Sequence, residues 1–443
     1  MNQRMTRRIR MMMLALVLAA SAGAQQKPLA LTEAIDLSVK NSKALKGSEA
    51  RIAAAQAAVA EARDRRLPDA SVSGSYLRLN KPNVSLKTGQ PAGGNGGGSG
   101  ESPAINSAAY AMANVSLPIY AGGRIRYGTE SAQYLEKAAR LDAETDREEV
   151  IANTIDAYNN LFKARAAMLI VDSNLVAARE RVRELTNQEQ QGILARNDLL
   201  KAQLAQSNTE LALVDAQNNW QLANINMNIM LGLPDSTELL PDSASLRIPV
   251  QVKPLADYVQ DGLRSRHEIE ALSLRRQAAG VGVKAARAER LPSVALTAGY
   301  VALTVPNFLT VTNAINLGVG IKYDIASLWK NKARVQAAQA REAEAAAGVA
   351  QWNDAVRLQV HQRYLAYLTA QKKIDVNAVA VAQATENDRV IRNKFHNGVA
   401  TTTELLDADA ALLQARLNYA FSKNDAVVAY YKLLQASGTL NNQ

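Results

Sequence analysis

Gly398-Val399-Ala400-Thr401-Thr402-Thr403-Glu404-Leu405-Leu406-Asp407 is a glycine turn with a long helical pattern running into it and another running out. An earlier copy, Gly192-Ile193-Leu194-Ala195-Arg196-Asn197-Asp198-Leu199-Leu200, stands in the same relation to its neighbours. The interval from Gly192 to Gly398 equals that from Gly232 to Gly438, so the register holds through the helix that follows each turn. A chain with two such turns, each between long helices, is built twice from one plan.

The helices around the turns are unusually long. Arg124 to about Glu189 and Lys330 to about Phe395 each hold a helical period that would extend about 100 Å. Met168, Val171, Leu175, Ala178, Val182 and Leu185 step by three and four, the spacing of a coiled-coil seam. After Gly398 the return helix carries Leu406, Ala410, Leu413, Leu417, Ala420, Asn424, Val427, Tyr431 and Leu434. Its earlier copy reads Leu200, Leu204, Ser207, Leu211, Val214 and Asn218. Asn218 and Asn424 share one seam position, where a buried amide fixes register at some cost in stability. An asparagine tolerated at a loose seam accounts for them equally well.

Upstream of each long helix the period changes from helix to strand. An alanine-rich helix over Leu31 to Arg66 stops at Leu67-Pro68, because proline cannot continue the hydrogen-bond ladder. Its copy runs from Leu255 to Leu291-Pro292, with Arg287 and Arg290 answering Arg63 and Arg66. Strands are expected over about 70–79, 108–120, 293–304 and 314–325, with Tyr300 in the phase of Tyr76. Ile315, Leu317, Val319, Ile321 and Tyr323 alternate with Asn316, Gly318, Gly320 and Lys322.

Strands of about ten residues suffice to cross a bilayer when tilted, and this alternation suits lipid on one face and water on the other. A soluble sandwich with one buried face would alternate in the same way. Four strands cannot close a barrel, and open edges are not tolerated in lipid. If the strands span a membrane, several chains must share one barrel.

The remaining segments are connective. Gly93-Gly94-Asn95-Gly96-Gly97-Gly98-Ser99-Gly100 lacks the Gly-Lys-Ser/Thr that a phosphate loop requires and reads as a flexible loop. Residues 233–254 contain Pro234, Pro241, Pro249 and Pro254 and join a first repeat, 25–232, to a second, 255–443. Residues 1–24 have the form of a secretion signal. Arg4, Arg7, Arg8 and Arg10 precede an apolar run from Met11 to Ala20, and Ala22-Gly23-Ala24 is an A-x-A cleavage site.

Composition narrows the functional classes. The 443 residues carry 51 basic and 41 acidic side chains; removing the four signal arginines lowers the net charge from +10 to +6. That mild, interleaved balance is no nucleic-acid footprint. With no cysteine, disulfides, thiolate metal sites and a lipid-modified amino-terminal cysteine are all excluded. His267, His361 and His396 stand far apart without ligand spacing, so no metal or other cofactor is expected. No nucleophile elbow, dinucleotide loop or zinc-protease helix is present, and the chain does not read as an enzyme.

Paired helix–Leu-Pro–strand–hairpin–strand–long helix–glycine turn–helix units, closing on Ala436-Ser437-Gly438-Thr439-Leu440-Asn441, resemble the TolC family of bacterial outer-membrane efflux proteins. The likeness covers essentially the whole mature chain. It implies an α+β membrane protein, a homotrimer sharing a twelve-stranded β-barrel that is continued by an antiparallel helical coiled-coil tunnel into the periplasm. Such a trimer is the exit duct of a tripartite efflux or type I secretion system, embedded in outer-membrane lipid. The tips at Gly192, Ile193, Leu194, Gly398, Val399 and Ala400 would meet a periplasmic adaptor, which links the duct to an inner-membrane pump.

By the same likeness Glu404 and Asp407 ring the narrow periplasmic mouth. Three residues apart on a helix they share a face, and threefold symmetry would gather six carboxylates that favour cations. Without the likeness they read as first-turn acids stabilising a helix amino terminus. Asp198 matches the family's gate aspartate. Its usual arginine and tyrosine partners are replaced by Ala400 and Phe395, so any gate here closes by other contacts. The competing class is a secreted periplasmic coiled-coil structural or adaptor protein without a pore, which needs none of the four strands.

Overall fold

A computed structural model of the chain describes residues 26–80, 105–242, 252–306 and 308–440. The expected signal segment, the run Gly93 to Gly100, part of the proline-rich joint and Asn441 lie outside them. The elements in order are β1 (Gln26–Leu29), α1 (Leu31–Asn41), α2 (Lys43–Asp64), β2 (Asp69–Arg78), β3 (Ser107–Tyr120), α3 (Arg124–Gln190) and α4 (Arg196–Leu231). There follow β4 (Glu238–Pro241), α5 (Leu255–Ser265), α6 (His267–Ala288), β5 (Ser293–Val305), β6 (Leu309–Lys322), α7 (Ser327–His396) and α8 (Thr402–Ala436). Among the described residues no helix is long and apolar enough to cross a membrane.

The two sequence repeats are not the two compact units of the fold. One unit draws on Met1–Ala50, Leu141–Glu270 and Ala350–Gln443, the other on Arg51–Arg140 and Ala271–Val349. Each therefore combines pieces of both repeats.

The smaller unit holds an antiparallel sheet in the order β2-β3-β5-β6. Its register sets Val72 opposite Ala113, Ala113 opposite Tyr300, and Tyr300 opposite Ile315. Directly opposed residues share a face, so these alternating apolar positions join into one continuous surface. That surface is uncovered: Val72, Ile315, Leu317, Val319 and Ile321 are all exposed in the chain. Ser71, Asn114, Gly299 and Asn316 line up on the opposite face. At the β3–α3 turn, Gly122 has φ +65°, and a Cβ there would lie 2.9 Å from the Ala288 carbonyl oxygen. Only glycine fits that bend.

β6 begins at Leu309, five residues before the strand expected from alternation. The cause is Asn313, whose φ of 62° breaks the period, with a register shift between Val301 and Leu303 on the partner strand. The bulge leaves Thr310 paired with Thr304 and Leu309 with Val305. At the other end the strand stops at Lys322 rather than running on to Ile325.

In the larger unit the core is built from Leu29, Tyr158, Leu161, Met227, Leu231, Val360, Leu433 and their neighbours. The proline-rich joint contributes to it, because β4 pairs in parallel with β1 and buries Leu239. Buried Tyr158 donates to the Leu29 carbonyl at 2.8 Å and accepts from the Asp242 amide at 2.9 Å, tying both short strands to α3. Asn224 of α4 accepts from the Leu239 amide at 2.9 Å and donates to the Thr237 carbonyl at 2.7 Å.

The helix expected to run unbroken from Leu31 divides at Ser42, which is extended. Its hydroxyl accepts from the Leu45 amide at 3.3 Å and so starts α2. Arg266 divides the second copy in the same way.

Candidate functional site

Both turns are closed by the same backbone device. After α3 the Gly192 amide donates to Glu189 and the Ile193 amide to Gln188, both at 2.9 Å. After α7 the Gly398 amide reaches Phe395 at 3.0 Å and the Val399 amide Lys394 at 2.8 Å. This is the Schellman pattern, which needs a left-handed residue, and the glycines have φ +72° and +70°. A Cβ would meet nothing at either site, so conformation alone selects glycine. Ile193 and Val399 are exposed at the tips.

The second tip has a capping box that the first lacks. The Glu404 amide donates to Thr401 Oγ1 at 3.2 Å, while Glu404 Oε2 accepts from the Thr401 amide at 2.7 Å. These bonds to Thr401 hold the Glu404 carboxyl below its ordinary value. The first-turn capping role is therefore real, and it keeps the carboxylate ionised. Asp407 is exposed one turn further along α8. At the first tip α4 starts from Ala195, which has no side-chain cap.

Asp198 has a lysine for its partner. It pairs with Lys201 at 3.2 Å, and Lys201 Nζ donates to Thr403 Oγ1 at 3.3 Å, joining the first turns of α4 and α8. Phe395 packs with Val182, Leu194 and Leu406 against buried Leu185, Leu199 and Ala202. Phe395 thus belongs to an apolar cluster that joins both tips.

Sequence reasoning missed the most heavily buried charges near the tips. Asp409 of α8 accepts from Arg181 of α3 and from Arg392 of α7, each at 2.8 Å. Arg392 also bonds Asp388 at 2.8 Å. Arg181, Asp388 and Asp409 are each 8% exposed. Burial, with Arg392 nearby, lowers the Arg181 pKa to about 10, so it remains a cation at neutral pH. A groove of about 310 Å³ between α3, α4 and α8 is lined by Arg181, Asp409, Gln206 and Leu413. One signal was available: Arg181 lies between seam residues Ala178 and Leu185, whereas in α8 the buried face runs through Leu405 and Leu412, beside the expected stripe of Leu406, Ala410 and Leu413.

The two asparagines do not play matching parts. Asn424 is buried, yet its amide donates to Ala420 of its own helix at 3.1 Å. Asn218 is exposed. Leu204, Leu211 and Val214 of the same stripe are likewise uncovered, because no described residue packs over them. Within one chain the bond given for Asn424 stays in its own helix, and Asn218 faces outward with the rest of its stripe.

The histidines do not converge. His267 Nδ1 lies 3.3 Å from Glu148, whose carboxyl is pushed up by burial. No group able to hold a metal ion occurs among the described residues.

A four-stranded sheet with two free edges, and two long helical hairpins with glycine tips, now stand together with a sequence match. The profile of the outer membrane efflux protein family matches residues 34–233 and 258–439. The chain belongs to that family. It is similar to outer membrane efflux protein BepC of Brucella suis, at 25% identity over 93% of this chain and 85% of the relative. Protein CyaE of Bordetella pertussis is 25% identical over 93% of this chain and 84% of its own. The fold matches the crystal structure of the outer membrane protein VceC from Vibrio cholerae with a TM-score of 0.73. That alignment covers 92% of this chain and 96% of VceC at 20% identity. As an outer membrane efflux protein the chain is an outer-membrane channel, the exit duct of an efflux or secretion system.

Proposed function

We propose that three copies of this chain form one duct, β6 of each copy pairing with β2 of the next to close a shared barrel. The observation that carries this is the sheet itself. Its order leaves β2 and β6 as edges, and its apolar face is exposed on both edge strands at Val72, Tyr76, Ile315, Leu317, Val319 and Ile321. Unpaired backbone groups cannot be left in hydrocarbon, so strands of this kind must close on further strands. The exposed apolar stripe on α4 is accounted for in the same way, by helices of neighbouring copies.

In this reading residues 1–24 are a signal segment that carries the chain out of the cytoplasm, and the two repeats, 25–232 and 255–443, each supply one hairpin and one tip. The tips around Gly192 and Gly398 receive a periplasmic adaptor, which couples the duct to an inner-membrane pump. Glu404 and Asp407 from three copies line the mouth and favour cations. Asp198, held by Lys201, supports that mouth from the other tip. Reconstitution in a planar bilayer tests the reading. Stable cation-preferring conductance steps are expected, and protein that incorporates but never conducts would overturn it.

A further inference from the structure

All four strands meet their helices at the same end of the sheet. Antiparallel register brings Asp69, Tyr120, Ser293 and Lys322 to that end, where α2, α3, α6 and α7 attach. The junctions are basic. α2 leaves through Arg63, Arg65 and Arg66, and α3 opens with Arg124 and Arg126. Arg287 and Arg290 close the α6 junction. Lys322, Lys330, Lys332 and Arg334 surround the start of α7.

Within residues 61–69, 120–126, 287–293 and 322–334, eleven basic side chains stand against five acidic ones, and every basic one is exposed. Ion pairs hold only Arg65, to Glu61 at 3.1 Å, and Arg334, to Glu289 at 2.7 Å, among the described residues. Between the cations stand exposed Leu67, Tyr120, Leu291, Tyr323 and Trp329. At the opposite end of the sheet Arg78 is the one basic side chain among the described residues.

Exposed cations in excess of the carboxylates around them, mixed with exposed aromatic and aliphatic side chains, match a surface that is anionic outside and apolar beneath. A soluble anion or an acidic protein would not require Trp329 and Leu67 to be uncovered. We propose that this collar seats on anionic phospholipid headgroups in the periplasm-facing leaflet and sets the depth of the barrel. The inference rests on the reading that the sheet spans the outer membrane.

The test is native mass spectrometry of the detergent-solubilised full chain titrated with phosphatidylglycerol or phosphatidylcholine. The protein should retain phosphatidylglycerol preferentially. Substituting Arg66→Gln, Arg290→Gln and Lys330→Gln together should weaken that retention by at least about tenfold, as expected for three cations lost at an anionic surface. A control with Lys372→Gln, Lys373→Gln and Arg416→Gln removes the same charge from exposed helical positions and should keep the preference. Absence of headgroup preference, or equal loss in both variants, overturns the collar. Incorporation into vesicles of the same two lipids separates the readings: insertion without preference refutes the collar alone, whereas failure to insert removes the spanning sheet and the collar with it.

Discussion

Arg181 of α3 and Asp409 of α8 form a buried ion pair, and Arg392 of α7 shares the same carboxylate. Three of the helices that lead to and from the tips are thereby tied through one side chain. Removing one member of such a set leaves the others charged and desolvated, which costs far more than the set contributes when whole.

Asp409→Ala therefore should destabilise the tip region by roughly 3–5 kcal/mol, since it leaves Arg181 buried without the carboxylate it bonds, while Arg392 keeps only Asp388. Hydrogen exchange over the first turns of α8 measures this as faster opening of Leu405 to Leu412. Unchanged protection there would mean that the pair carries no structural weight.

The Glu404 cap has a pH signature. Its carboxyl is held below the ordinary value by Thr401, so the stabilisation it supplies is fully present above the unfolded value. It is lost as pH falls through the lower folded value. The difference in thermal midpoint between the wild type and Glu404→Gln should be constant at neutral pH and shrink only below the ordinary glutamate range. A difference that grew on acidification would contradict the cap.

Glu404→Gln with Asp407→Asn should lower cation selectivity without changing the amount of assembled protein. Reversal potentials under a salt gradient give the answer. Unchanged selectivity would leave both residues as helix-start acids and nothing more.

Leu317→Arg or Val319→Arg puts a cation on the apolar face of an edge strand. At mid-bilayer depth this costs about 2–4 kcal/mol per chain. The variant should be depleted from the outer-membrane fraction, and normal assembly would count against a lipid-facing sheet.

Much of this was legible in the sequence because it depends on local periodicity. The glycine turns, the Leu-Pro breaks and the β2, β3 and β5 alternation each follow from backbone rules acting within ten residues. The start of β6 was hidden because Asn313 interrupts the alternation with a left-handed residue. β4 escaped notice inside a proline-rich joint, since four residues pairing with a distant β1 leave no period to read. The site was less legible than the fold. Arg181, Arg392 and Asp409 lie on three helices far apart in sequence, and only packing brings them together. The stripe on α4 shows the converse case, a pattern plain in the sequence that stays uncovered within one chain.

With β2 and β6 left as edges, the sheet should close only across copies of the chain. The native mass of protein extracted in detergent from the outer membrane tests it most directly. Three chains per particle is the expected result. A monomeric particle, or protein recovered only from the soluble periplasm, would leave β2 and β6 unpaired and contradict the account.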